Sequence, residues 1–405
     1  MSAPARRGWC PGLSSPMPTG DGLLVRLLPA DHIPIAAFIA LCAAARRHGN
    51  GTIEISARGS LQMRGLTQQS APLFARDVQC LAIPAAESVI SDPLPEDPYC
   101  LLDAARLATE LRAAVAQARL SLSAKGCAIV DGGGRLHLDA LAADLRLRAV
   151  ATQEGLRLHV AVAGDARSTV SLGFIPPECA CDAVVQLFGV IAAQGPTARA
   201  RDCIDALGLG PFRAAIDRWC DEAYEMPSRA PAEPIRMHPL RDGLFALGIA
   251  PVFGHAPAEA FSELARVAGL HGTKAMRPAP GRALLLIGVN RDAVDQLTRA
   301  ADAIGFITRA DDARRGIIAC PGSPACASGL IPARSLAAAI ALHVPNVQGT
   351  IHISGCSKGC AHPAPAALTI VGTEQGCGIV RHGTARSVPS RFVDPADLIV
   401  EIQNV

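Results

Sequence analysis

Hydrophobic and polar positions change period several times along this chain, and each change marks an element. Apolar residues alternate through residues 21–27, as a half-buried strand requires, then run almost unbroken over 33–45 up to Arg46 and Arg47. That run predicts a core helix over 33–47. At 13 residues with one proline it falls short of the ~20 needed to cross a bilayer. A strand is expected at 52–56. The same order returns about 220 residues later, as strand 242–248, helix 257–268 and strand 283–288. Each helix ends near a His-Gly pair, His48-Gly49 and His271-Gly272. Two related α/β halves are therefore expected.

Between the halves, Leu and Ala recur with helical spacing over 101–118. Residues 127–130, the run Asp131-Gly132-Gly133-Gly134 and residues 135–138 read as strand, turn and strand, a hairpin. Another strand is expected at 156–162. Pro227, Pro231 and Pro234 then suit an extended linker. A helix opening on Pro332 covers 332–342, and strands follow at 349–354 and 366–371.

The length of 405 residues exceeds one ordinary core, so two or three domains are expected. A formal charge of +2 gives no case for a nucleic-acid partner. Lysines number only three against 35 arginines. A compositional bias accounts for most of this, but guanidinium forks also suit a ligand rich in carboxylates. The N-terminus lacks an apolar signal region, so a cytoplasmic protein with no membrane partner is expected. There, 14 cysteines should be reduced or metal-bound rather than paired as disulfides.

Four of them stand apart. Cys320-Pro321-Gly322-Ser323-Pro324-Ala325-Cys326 is followed, after 29 intervening residues, by Cys356-Ser357-Lys358-Gly359-Cys360. Two thiol clips on loops at element ends suit a [4Fe–4S] cluster, one thiolate per iron. Gly322, Gly355 and Gly359 let backbone N–H groups turn toward sulfur. A zinc-stabilised interaction module is the non-enzymatic alternative, but structural zinc prefers two to four residues between paired cysteines, and the first clip has five.

Cys-x5-Cys followed by Cys-x3-Cys resembles the siroheme sulfite and nitrite reductase family. The resemblance covers nearly the whole chain. It implies an α/β (α+β) fold of duplicated ferredoxin-like half-units forming one domain, plus two cluster- and tetrapyrrole-binding α/β domains. Mapped here, the half-units are 1–80 and 226–305, the first tetrapyrrole-binding α/β domain is 81–225 and the cluster domain is 306–405. Ser56-Ala57-Arg58 through Gln62-Met63-Arg64 resembles that family's Thr-x-Arg-x-x-x-Gln motif, which grips tetrapyrrole carboxylates. Finer wording resembles a cobalamin-pathway branch of the family: Cys10-Pro11-Gly12, Asn50-Gly51-Thr52, Leu61-Gln62-Met63-Arg64-Gly65, Val130-Asp131-Gly132-Gly133-Gly134 and Ser354 through Pro363. That branch implies O2-dependent hydroxylation of precorrin-3A at C20 with γ-lactone formation. It also implies the [4Fe–4S] cluster on Cys320, Cys326, Cys356 and Cys360, and a mononuclear non-haem iron. Arg58, Gln62, Arg64 and Lys125 would hold substrate carboxylates, with Lys358 beside the cluster and His362 facing substrate.

The alternative is a siroheme-dependent sulfite or nitrite reductase. It is weakened because Cys127 stands where such a reductase has a second lysine after Lys125. Facial non-haem iron needs two His and a carboxylate, and the eleven histidines show no such constellation, so catalytic residues stay unassigned. No Gly-x-Gly-x-x-Gly follows a strand and opens a helix. Electrons, ultimately from NAD(P)H, should therefore arrive through a separate ferredoxin or reductase.

Overall fold

The computed structural model describes residues 11–86, 88–221, 226–343 and 349–403, so Cys10 lies outside the described residues. Among the described residues, four sheets carry the fold. The first runs β1 (Met17–Thr19), β2 (Gly22–Leu27), β5 (Leu61–Leu66), β4 (Thr52–Ile55) and β13 (His255–Pro257). The second runs β11 (Met237–Pro239), β12 (Phe245–Pro251), β15 (Ala283–Val289), β14 (Ala275–Ala279) and β3 (Ile33–Pro34), with β16 (Phe306–Ile307) also on β12. All pairs in both sheets are antiparallel.

Each half lends a strand to the other. β3 leads directly into the helix Ile35–His48 but pairs with β14, while β13 leads into the helix Ala258–Leu270 but pairs with β4. Both are short edge strands ending in Pro34 or Pro257, where a missing N–H is tolerated. The exchange brings the two helices together. Phe38 and Phe261, both fully buried, meet edge to face with ring centroids 6.2 Å apart. One core then takes Val25, Ile53 and Met63 from the first half and Leu247, Leu264 and Leu286 from the second.

The duplication is real, but the expected strand match needs correcting. β4 corresponds to β14, and residues 283–288 lie in β15, the counterpart of β5. Ala-Met-Arg-Pro-Ala in β14 gives no strand pattern, because it carries a charge and a proline. It is nonetheless buried along its whole length.

The third and fourth sheets share one topology. The third is β6 (Val89–Ser91), β7 (Ala128–Asp131), β8 (Ala143–Thr152), β9 (Gly155–Gly164) and β10 (Val170–Ile175). The fourth is β17 (Ile317–Ala319), β18 (Ile351–Ser354), β19 (Ala366–Thr373), β20 (Gly376–Gly383) and β21 (Arg391–Val393). In each, the first three strands are parallel and the last two antiparallel. A helix crosses between the first two strands, Ala104–Gln117 in one and Ala333–His343 in the other. The loops match as well: Leu101 N–H donates to Gly132 O and Leu330 N–H to Gly355 O, both at 2.7 Å.

This arrangement overturns the hairpin expected around Asp131-Gly132-Gly133-Gly134. β7 is parallel to both neighbours, and residues 135–138 form no strand. The glycines serve close approach instead: a Cβ on Gly132 would lie 2.6 Å from Leu102 O, and one on Gly134 2.6 Å from the Cys100 sulfur. Asp131 pairs with Arg229, which also pairs with Asp139, so the proline-rich segment 226–234 is pinned rather than free. Among the described residues, no helix is long and apolar enough to cross a membrane.

Candidate functional site

The cysteine loops leave the carboxyl ends of parallel strands, where α/β sheets present their ligands. Cys320 directly follows β17 and Cys356 follows β18 after Gly355. Gly355 N–H donates to the Cys320 sulfur at 3.0 Å. Burial pushes the Cys320 thiol up; Gly355 and Gly322 N–H groups pull it down, and the Cys356 and Cys326 thiols raise it again. Cys360, the most exposed of the four, is raised by the protein around it and then by Cys320 and Cys356. Cys326 and Cys356 thus lie within electrostatic reach of Cys320, and Cys320 and Cys356 within reach of Cys360. Lys358 Nζ donates to Ser328 Oγ at 2.9 Å, tying the second clip to the first.

All 13 described cysteines are free thiols. Of those outside the clips, Cys42, Cys100, Cys127, Cys203 and Cys377 are buried, and Cys80 is exposed. Among the described residues, no three His, Cys, Asp or Glu side chains converge closely enough for one metal ion. The mononuclear iron that the resemblance implies therefore has no ligand set among the described residues, while a cluster needs one sulfur per iron around a shared space rather than several on one ion.

Both half-units reach these loops, the second through Arg282 and the first through its polar sheet face. The polar sheet face of the first half-unit carries Gln62, half-buried on β5 between Arg26 and Glu54 of the flanking strands. Arg64, two residues on, has its fork filled. Nε and Nη2 donate to the two Asp21 oxygens at 2.7 and 2.8 Å, and Nη1 donates to Glu54 Oε2 at 3.2 Å. Glu54 Oε1 in turn accepts from Arg334 Nη2 at 2.9 Å, so the chain of charges reaches the helix behind the first clip. The Arg64 charge also draws the Cys360 thiol down.

Arg58 and Arg282 occupy the tips of corresponding hairpins, which touch through a bridge between Arg58 and Pro280. They reach in opposite directions. Arg58 Nη1 donates to Ala142 O at 2.9 Å and Nη2 to the Cys127 sulfur at 3.6 Å, both on the third sheet's side. Lys125 is exposed on the loop before Cys127. Arg282 Nη2 donates to Ala361 O at 2.9 Å, between Cys360 and His362.

His362 faces His352, with ring centroids 5.6 Å apart. His352 is fully buried, and neither of its ring nitrogens has a hydrogen-bond partner. Burial, then His362 and Arg282, push it down to about 4, so it is neutral. His255, pushed down to about 3 by burial and then by Arg334, lies against the same guanidinium groups. Sequence reasoning missed Asp21, Glu54, His255, Arg282 and Arg334. Only a correct match of β14 to β4 would have pointed to Arg282, as the counterpart of Arg58.

Comparison with known proteins follows these features. A profile described as the nitrite/sulfite reductase ferredoxin-like half domain matches residues 15–79. The structure of the Mycobacterium tuberculosis NirA protein superposes with a TM-score of 0.73 at 18% identity, over 94% of this chain and 79% of that one. The ferredoxin–nitrite reductase of Synechococcus elongatus is 24% identical over 81% of this chain and 72% of its own length. Fold and half-unit together define the class, the sulfite reductase-like proteins. The "Precorrin-3B synthase" of Sinorhizobium sp is 36% identical over 97% of this chain and 86% of that protein. The chain belongs to the precorrin-3B synthase family.

Proposed function

We propose that this chain hydroxylates precorrin-3A at C20 with O2 and closes a γ-lactone, in aerobic cobalamin biosynthesis, and that Cys320, Cys326, Cys356 and Cys360 hold a [4Fe–4S] cluster. The two cysteine clips on loops that leave neighbouring parallel strands, with Gly355 N–H donating to the Cys320 sulfur and Lys358 tied to Ser328 beside the first clip, are the observation that carries the reading. Similarity to the Sinorhizobium synthase along nearly the whole chain supports the substrate. When bound, the cluster supplies single-electron transfer, fed by a separate ferredoxin or reductase drawing ultimately on NAD(P)H.

The chain's own residues do the rest. Arg58 and Lys125 present cations at the mouth of the third sheet, suited to the carboxylates of a precorrin. Gln62 offers a neutral amide on the same half-unit. Arg282 fixes the Ala361 carbonyl, and with it the turn from Cys360 to His362. His352 and His362, both held below the usual imidazole value, are neutral at pH 7 and add no charge beside the thiols.

Anaerobic purification with iron, sulfide and chromophore analysis is the test, followed by precorrin-3A turnover under O2. Broad cluster absorption, about four irons per chain and lactone product are expected, all lost in Cys356→Ser. Siroheme bands with sulfite or nitrite reduction would instead make this a reductase, and zinc without iron or sulfide would end the cluster reading.

A further inference from the structure

The wall of the thiol site farthest away in sequence is the turn between β1 and β2. Asp21 and Arg64 lock this turn. Their bidentate pair is almost closed to solvent, with 4% and 10% of the side chains exposed. Burial opposes the Asp21 charge, yet Arg64 and Thr19 hold its carboxyl below the usual range. A buried fork of this kind is rigid, because loss of either partner strands the other charge.

Gly20, held beside that lock, touches the first clip. Its carbonyl accepts from Ala327 N–H at 2.8 Å. A Cβ on Gly20 would overlap the Cys326 sulfur and press on the Ala327 and Ser328 nitrogens at 3.3 Å. Gly20 is not among the glycines with positive φ, so its backbone would accept a side chain. The Cys326 sulfur is the nearest obstacle to one, and the two backbone nitrogens crowd the same space.

We infer that the 19–22 turn positions Cys326: Arg64 fixes the turn through Asp21, and Gly20 is the gap that admits the sulfur. Arg64 is thus a positioning residue for the thiol site, not a ligand for substrate carboxylates. This deepens the cluster reading and rests on it.

The test follows iron release to a chelator in the full-length protein and, after iron removal, alkylation of each clip cysteine by iodoacetamide, read by peptide mass spectrometry. Arg64→Lys should release iron about tenfold faster or more, as expected when a charge-assisted bond is lost, and Gly20→Ala, which crowds the Cys326 sulfur, should also speed release. Cys326 alkylation should rise while Cys360 stays unchanged. Folded variants that match wild type in both rates would overturn the inference. Should a variant not fold, the wild-type footprint decides: Cys326 protected relative to Cys360 supports the clamp, and equal rates overturn it. Wild-type protein without iron would sink the cluster reading alone, since the alkylation pattern needs no metal.

Discussion

Asp92 accepts from Gly132 N–H, at 3.0 Å, the hydrogen bond that Cys320 accepts from Gly355 N–H at 3.0 Å. The two residues hold the same place in matching loops of the third and fourth sheets. Asp97 likewise stands where Cys326 stands: its carbonyl accepts from Cys100 N–H at 3.0 Å, as that of Cys326 accepts from Gly329 N–H at 2.8 Å. One loop frame is thus built twice, with thiols in one copy and carboxylates in the other. Soft iron–sulfur chemistry is open only to the C-terminal copy.

Asp92 should make the protein lose stability as pH rises. Burial, then the Asp131 charge, push it up to about 7 from 3.8, against the Gly132 N–H and Arg277. The folded state holds the proton more tightly, so the contribution is complete below about 4 and lost as pH rises through about 7. Asp92→Asn should raise the unfolding temperature at alkaline pH and flatten that slope, by at most about 4 kcal/mol. A thermal-unfolding series across pH checks it, and an unchanged slope would refute it.

His159 should act with the opposite sign. Burial, then Arg148 and Arg146, push it down to about 4, and Nε2 bonds Ser171 Oγ at 2.7 Å. Its contribution is present above the unfolded value of 6.5 and lost as pH falls through about 4, worth about 3 kcal/mol. His159→Phe, which keeps a ring against Phe174 (centroids 5.2 Å apart in wild type), should weaken that acid slope. Urea midpoints at neutral and acid pH would show it.

Phe261 joins the two half-units. It lies edge to face with Phe38 at 6.2 Å and with Phe306 at 5.3 Å, and is fully buried. Phe261→Ala should cost about 3–5 kcal/mol in denaturant unfolding, and Phe261→Leu distinctly less.

Glu54 docks the cluster-side helix onto the first sheet through Arg64 and Arg334. Its side chain is 18% exposed, so Glu54→Gln should cost about 2–3 kcal/mol, below the range for a fully buried pair. Hydrogen exchange in the helix Ala333–His343 should speed up; protection equal to wild type would show that the pair does not hold the helix.

Legibility varied with the kind of signal. The helix Ile35–His48 was plain because its apolar run is long and its last turn carries Arg46, Arg47 and His48. β14 was invisible because burial in a shared sheet, not pattern, makes Ala-Met-Arg-Pro-Ala a strand. The glycine run after Asp131 misled because turns and close approach use the same residue for different reasons. Arg64 showed in the sequence as a cation, but its partner Asp21 lies 43 residues away, so nothing local revealed the filled fork.

The sequence by itself carried the recurring order of strand and helix and the spacing of the four clip cysteines, because periodicity and spacing are local properties, and its motifs resembled the family to which the chain belongs. Tertiary structure alone decided how both halves meet those thiol loops, that β3 and β13 cross between halves, and that Gly20 abuts Cys326. Such pairings join residues hundreds of positions apart, and only burial and hydrogen bonding across the folded chain select them.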